Sequence, residues 1–358
     1  MENLMIRSEL HQTKKAIENN HLTIGFLGGS ITENRVPHNW TDVLISSILS
    51  QYPSLRLNVH NAAIGATGSD FGLIRVREDI IQKSCDLVFI EYAVNDYYTP
   101  QTRRNDQMEG LIRRIRNESN ADIILVYTYL QEMYHALINQ ELPEIIQDYE
   151  KIADYYQVSS IFVGNIAFHE VQQGSMRYEE WLPDGLHPQF RGSYTYGKAV
   201  YQALVHGLHV TTSLKPMPIK PLSPHNWEHA KKISFNMLEV KHPFYIKRSS
   251  TQVFVNDVIF TSAIGAKLKI KYEGKGLVLV FDFGKKSSEF SYRIDQGEWI
   301  DVKRDRPSWV GYSGWLRPIV LGEHLAFGLH EIELVVTHGL RPDCEGTNFE
   351  LTHIMALQ

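Results

Sequence analysis

Four short stretches of this 358-residue chain carry side chains that could act together in one reaction. Gly28-Gly29-Ser30-Ile31-Thr32 presents a hydroxyl directly after two glycines, which are free to turn the backbone sharply. Asn61 to Gly68 (Asn-Ala-Ala-Ile-Gly-Ala-Thr-Gly) is built from small residues that let backbone pass close to a ligand. Ala93-Val94-Asn95-Asp96 offers a side-chain amide, a neutral donor. Asp184-Gly185-Leu186-His187 sets a carboxylate three residues before an imidazole, so in a turn one ring nitrogen can donate to Asp184 while the other faces a hydroxyl. A serine is a weak nucleophile at neutral pH until a base takes its proton, and donors beside it would hold the oxyanion that forms. The chemistry is acyl transfer. Taken singly each stretch has a plainer explanation: Ser30 as a helix N-cap, Asn61 to Gly68 as a packing turn, Asn95-Asp96 as ordinary turn chemistry, and the Asp-x-x-His spacing as chance.

The elements around these stretches supply the positions. Leu22 to Leu27 is a short apolar run of the kind that forms a buried strand, which delivers Ser30 at a strand's carboxyl end, the edge where open α/β sheets bind ligands. Further strands are expected at 55–60, 86–91, 122–128 and 159–163, alternating with helical patterns at 40–49, 70–83, 105–117, 143–156 and 190–208. Such alternation predicts an α/β fold with a five-stranded parallel sheet and helices on both faces, because parallel neighbours need a crossover. Asn61 and Asn95 then follow the second and third strands, and Asp184 and His187 precede the last helix.

From Thr211 to Pro224 the character changes, with Pro216, Pro218, Pro221 and Pro224 reading as a semi-rigid extended linker. Beyond it come short β-rich runs at 252–260, 267–272, 276–283, 289–294, 329–336 and 347–355, the pattern of an all-β sandwich or jelly roll. The expected organisation is an α/β domain over 1–210, a linker over 211–230 and a β-sandwich over 231–358. In the sandwich, Trp309, Tyr312 and Trp315 crowd a loop from Arg306 to Pro318, where aromatic faces would either stack on sugar rings or serve packing.

The four stretches, in this order, resemble the blocks of the SGNH hydrolase (GDSL-type esterase) superfamily, over about the first 210 residues. The resemblance implies a flavodoxin-like sheet, Ser30 as nucleophile, His187 as general base and Asp184 as the group that orients the imidazole. It further implies an oxyanion hole from the Asn95 side chain, the Ser30 N–H and an N–H of Gly65 or Ala66. Two departures stand out: Ala93 occupies the usual glycine position of the third block, and Ala66 that of the second. The Gly-Gly-Ser-Ile-Thr variant followed by a β-sandwich is similar to two-domain carbohydrate acetylesterases, which implies removal of O-acetyl groups from an oligosaccharide such as a xylo-oligosaccharide. A thioesterase, a lysophospholipase, a sugar O-acyltransferase and a non-catalytic carbohydrate-binding protein stay open as alternatives.

Composition excludes other classes. A net charge of -5 gives no general attraction to nucleic acid or anionic lipid, and the arginines at 103, 104, 113, 114 and 116 read as a solvated helix face. Two distant cysteines fit a reducing compartment, and no stretch has the apolar length of a membrane span, so the expected location is cytoplasmic. No cofactor or metal is implied: His225-Asn226-Trp227-Glu228-His229 matches a zinc signature in letters only, following prolines where a helix is needed. The expected partner is the ester substrate, and homo-oligomerisation is left open.

Overall fold

The computed structural model describes residues 2–33, 39–212 and 216–358. The chain divides into two compact units, Met1–Glu228 and His229–Gln358.

The first unit carries strands β1 (Leu4–Met5), β2 (His21–Gly28), β3 (Arg56–Asn61), β4 (Leu87–Glu91), β5 (Asp122–Tyr127) and β6 (Ser159–Phe162). Their order across the sheet is β1-β6-β5-β4-β2-β3, with β2 to β6 parallel and β1 antiparallel on the edge of β6. The five parallel strands have the flavodoxin-like order, and the two-residue β1 adds an edge strand that its length hides from sequence patterning. Between the strands run α1 (His11–Glu18), α2 (Trp40–Gln51), α3 (Ser69–Asp79), α4 (Gln101–Glu118), α5 (Tyr134–Ile138) and α6 (Glu144–Tyr156), and after β6 come α7 (Val163–Gln172), α8 (Tyr178–Trp181) and α9 (Phe190–His209). Successive residues of β2 show how the layers form. A Cβ on Gly25 would meet Ile80 Cδ1 at 2.7 Å, so only glycine admits the end of α3 on that face. On the opposite face Phe26 meets the edge of Trp40, at the start of α2, with ring centroids 5.4 Å apart.

The proline-rich segment departs from the expected extended linker. Residues 213–215 lie outside the described residues, but 218–228 are bound along α4. Arg113 donates to Pro218 O (3.0 Å) and to the Glu228 carboxylate, Arg114 donates to Glu228 O, and Glu109 accepts from the N–H groups of Leu222 (2.6 Å) and Ser223 (2.9 Å). Gly110 makes room, since a Cβ there would lie 2.8 Å from the Trp227 and Glu228 backbone. The arginines expected on a solvated face are therefore partly interior. Arg104 and Arg113 are each only 6% exposed, and Arg104 pairs with Asp148 at 2.7 Å. A buried arginine needs such partners to offset its desolvation.

The second unit is all-β, with β7 (Lys231–Lys232), β8 (Tyr245–Arg248), β9 (Asp257–Thr261), β10 (Lys267–Gly274), β11 (Gly276–Phe283), β12 (Glu289–Ile294), β13 (Ile300–Val302), β14 (Trp315–Leu321), β15 (Gly328–Thr337) and β16 (Phe349–Leu357). One antiparallel sheet runs β10-β15-β12-β13, and the other β14-β11-β16-β9-β8 with β7 beside β16. Ile270, Phe290 and Leu334 from the first meet Leu279, Phe281 and Phe349 from the second in one apolar core. The expected Arg306–Pro318 loop ends sooner than its composition implied: Trp315 opens β14, which pairs with β11, and Pro318 is tolerated because β14 is an edge strand.

Candidate active site

Two loops meet at the carboxyl edge of the parallel sheet. The first is the turn that ends β2. Thr32 N–H and Glu33 N–H both return to Gly29 O, at 3.1 and 3.0 Å, so Ser30 stands at the apex of a tight reversal, with α2 beginning only at Trp40. This turn rests on buried polar groups. The Glu91 carboxylate, at the end of β4, accepts from Thr32 Oγ1 (2.9 Å) and Thr128 Oγ1 (2.8 Å), and Trp40 Nε1 donates to Thr32 Oγ1 (3.2 Å). Asn61 Nδ2 donates to Thr32 O (2.8 Å) and Asn39 Nδ2 to Ile31 O (3.1 Å). Burial pushes the Glu91 carboxyl up to about 7, against hydrogen bonds from Thr128, Thr32 and the Gly29 N–H that favour its charge.

The sheet order places this turn at the switch between β2 and β4, where neighbouring connections leave in opposite directions and open a crevice. The second and third motif stretches line it. Ile64 N–H bonds to Gly28 O at 3.0 Å, which lays the Gly65-Ala66 turn beside the end of β2, and Ala66 takes the left-handed φ of 57°. Asn95 follows β4 and presses against Gly29 so closely that a Cβ on that glycine would stand 2.0 Å from Asn95 Oδ1. The second glycine of the motif is thus what allows the amide to lie against the residue next to Ser30. Asp96 points inward: its carboxylate accepts from Ser69 N–H (3.0 Å), the first residue of α3, and from Tyr149 OH (2.5 Å). Burial, and then the charge of Asp70, raise this carboxyl to about 7. Asp96 ties the third stretch to the second through the start of α3.

The second loop lies between α8 and α9. Trp181 anchors it, fully buried, with Nε1 donating to Tyr196 OH (3.0 Å) and its ring 4.7 Å from that of Tyr129. Gly185 then adopts φ of 80°, a left-handed turn that suits glycine. Asp184 Oδ1 accepts from the N–H groups of Leu186 (2.9 Å) and His187 (2.7 Å), while Oδ2 lies 2.7 Å from His187 Nδ1. Burial works to raise the Asp184 carboxyl, but these hydrogen bonds prevail and hold it below the ordinary range. An ionised carboxylate only accepts, so Nδ1 must carry a proton and Nε2 of the neutral ring is left as acceptor. Ser30 Oγ lies 2.8 Å from that Nε2. Residues 157 apart in the chain thus form one proton path.

The residues singled out in the zinc-like pentapeptide are otherwise engaged. Glu228 is 6% exposed and bound by Arg113 and Asn117, and among the described residues no group of three or more His, Cys, Asp or Glu is arranged to hold a metal ion. In the second unit Trp309 and Tyr312 are exposed. Trp315 is half-buried beside Trp309, at 4.9 Å between ring centroids, with the Arg317 guanidinium over its ring. Glu91 escaped sequence reasoning, although one signal was there: a lone acid closing an otherwise apolar strand. Among the described residues no helix is long and apolar enough to cross a membrane.

This fold and the order of its motifs define a carboxylic-ester hydrolase of the SGNH type. Residues 26–193, most of the α/β unit, match the model of the GDSL-like Lipase/Acylhydrolase family. In structure the chain is similar to a two-domain esterase (CEX) active on acetylated mannans, co-crystallized with mannopentaose. The TM-score is 0.84 at 22% identity, covering 99% of this chain and 96% of that one. A second crystal structure of a CEX esterase active on acetylated mannans matches with a TM-score of 0.83 at 21% identity, covering 99% and 97%. None of the curated proteins matches the chain significantly in sequence.

Proposed function

We propose that the protein is a serine esterase that removes O-acetyl groups from a carbohydrate. The observation that carries the catalytic part is the relay Ser30 Oγ, His187 Nε2, His187 Nδ1, Asp184 Oδ2, with contacts of 2.8 and 2.7 Å. His187 takes the hydroxyl proton as Ser30 attacks the ester carbonyl, and the resulting imidazolium is stabilised by ionised Asp184. The tetrahedral oxyanion is held by the Asn95 amide, the Ser30 N–H and an N–H of Gly65 or Ala66, groups fixed before the charge develops. His187 then gives its proton to the departing sugar oxygen, leaving an acetyl-enzyme. Water, deprotonated by His187, attacks this ester, and collapse returns the proton to Ser30 and releases acetate.

The acetyl and sugar parts draw support from the two-unit organisation and from the likeness to esterases active on acetylated mannans. The exposed rings of Trp309 and Tyr312 are our candidates for sugar-stacking groups in the second unit, with half-buried Trp315 behind Trp309. The test compares turnover of an aryl acetate, acetylated manno- and xylo-oligosaccharides, an acyl-CoA and a lysophospholipid by the full chain. Release of acetate from the oligosaccharides, lost in Ser30→Ala, is the expected result. Turnover of the thioester or the phospholipid with none of the acetylated sugars would overturn it.

A further inference from the structure

Beside the relay lies a cleft of about 540 Å³ to which sequence analysis assigned nothing, lined by Tyr129, Gln131, Glu132, Tyr134, His135 and Tyr178. Its residues come from the segment after β5, from α5 and from the start of α8. The α8–α9 loop and the segment after β4 border it. On one side, a Cβ on Gly185, between Asp184 and His187, would lie 3.2 Å from Gln131 Oε1 and 3.9 Å from Tyr178 OH. On the other, Tyr98, three residues beyond Asn95, donates its hydroxyl hydrogen to the Glu132 carboxylate. The cleft's lining therefore touches both the loop that carries His187 and the segment that carries Asn95.

Its walls combine two kinds of group. Tyr129 is buried, held by Trp181 at 4.7 Å and Phe168 at 6.2 Å, and forms a fixed aromatic wall. Tyr134 is 44% exposed and braced edge-on by Phe168 at 5.9 Å, and Tyr178 is braced edge-on by Trp181 at 6.0 Å. Between these rings Gln131, Glu132 and His135 bring exposed donors and acceptors. An acyl chain filling the cleft would strip water from the Glu132 carboxylate and the Gln131 amide, leaving the charge with the Tyr98 hydroxyl as its partner, and burial of a poorly compensated charge disfavours that occupant. A pyranose matches both features, because its C–H faces pack on aromatic rings while its equatorial hydroxyls meet amide and carboxylate groups.

We propose that this cleft is a sugar subsite: it holds a pyranose ring of the acetylated oligosaccharide next to the ring whose ester is cut, with Tyr134 and Tyr178 as packing faces and Gln131 and Glu132 as hydroxyl partners. This rests on the carbohydrate-esterase reading above and adds where the sugar lies. Binding energy gathered at a neighbouring ring can be used at the reacting ester, so loss of the subsite lowers kcat/KM for long substrates more than for short ones.

The experiment measures kcat/KM of the full chain and of Tyr134→Ala and Gln131→Ala on three probes: acetylated manno-oligosaccharides, 4-nitrophenyl acetate and 4-nitrophenyl octanoate. Both side chains are exposed, and thermal melts of each variant check that folding is kept. The expected result is a fall of about tenfold in the ratio of oligosaccharide to aryl acetate efficiency in each variant, the size of a lost packing or hydrogen-bond contact. An unchanged ratio in a wild type that does cleave the oligosaccharides overturns the subsite and spares the carbohydrate-esterase reading. A selective loss on the octanoate overturns it in favour of an acyl pocket. A wild type that cleaves only the aryl esters overturns both, and is told apart by that first measurement.

Discussion

The turn that carries Ser30 and the loop that carries His187 meet at one hydrogen bond but are built in opposite ways. The turn at Gly29 to Glu33 sits on interior groups drawn from distant parts of the chain: Glu91 and Thr128 at the ends of β4 and β5, Asn61 at the end of β3, and Trp40 from α2. The loop at Asp184 to His187 is held by contacts within itself, three of them to the one Asp184 carboxylate, and its His187 and Asp184 side chains are 43% and 54% exposed. Local hydrogen bonds suffice for the loop because Asp184 and His187 need only each other, whereas Ser30, Asn95 and the Gly65-Ala66 turn must converge from three strands. Changes on the loop side should therefore cost activity alone, and changes beneath the turn should cost stability as well.

The largest effect is expected at the hydrogen bond where the two meet. His187→Ala and Ser30→Ala should each lower kcat for an aryl acetate by about 10⁴-fold or more while leaving the melting temperature near wild type. The double variant should be no worse than either, because such groups act as a unit. Asp184→Asn should approach the same loss, since an amide no longer demands a proton on Nδ1. A variant of this set that retains a tenth of the wild-type rate would break the assignment. Next, Asn95→Ala should reduce kcat by about 100- to 1,000-fold with little change in KM, as expected for a donor used in the transition state. Gly29→Ala should follow it, because the added methyl group takes the space of the Asn95 amide.

A smaller effect sharpens the contrast beneath the turn. Glu91 titrates near 7 in the folded protein against an ordinary value of 4.5, so the native state keeps a proton that the unfolded chain releases. Its stabilising share is full below pH 4.5 and is lost as pH rises towards 7, with a slope of at most about 1.4 kcal/mol per pH unit. Asp96 adds to the same trend between 3.8 and about 7. Denaturant midpoints of Glu91→Gln should consequently vary less with pH over this window than those of wild type. A parallel profile would remove Glu91 from the account. The smallest effect is none: a chelator should leave the hydrolytic rate unchanged, and a loss restored by zinc would return attention to His225, Glu228 and His229.

Much of the site was legible in the chain because its motifs are local and stand at strand ends. The run Leu22 to Leu27 before two glycines is enough to set Ser30 at a carboxyl edge, and Asp184 and His187 bond across three residues, a distance that a turn closes without help from the rest of the fold. The alternation of strand and helix patterns likewise carries the parallel sheet, since such connections leave few topologies. Long-range burial is what one chain of letters does not carry. Arg113 looked solvated until the 218–228 segment folded over it, Trp315 looked like loop until β14 paired with β11, and Glu91 looked like a strand's end until the Ser30 turn and Thr128 closed above it. The aromatic cleft is the extreme case, because Tyr98, Gln131, Tyr134 and Tyr178 follow no period and share no motif. What sequence determined here is what neighbours along the chain can settle, and what tertiary structure decided is which distant polar groups lose their water together and must therefore find one another.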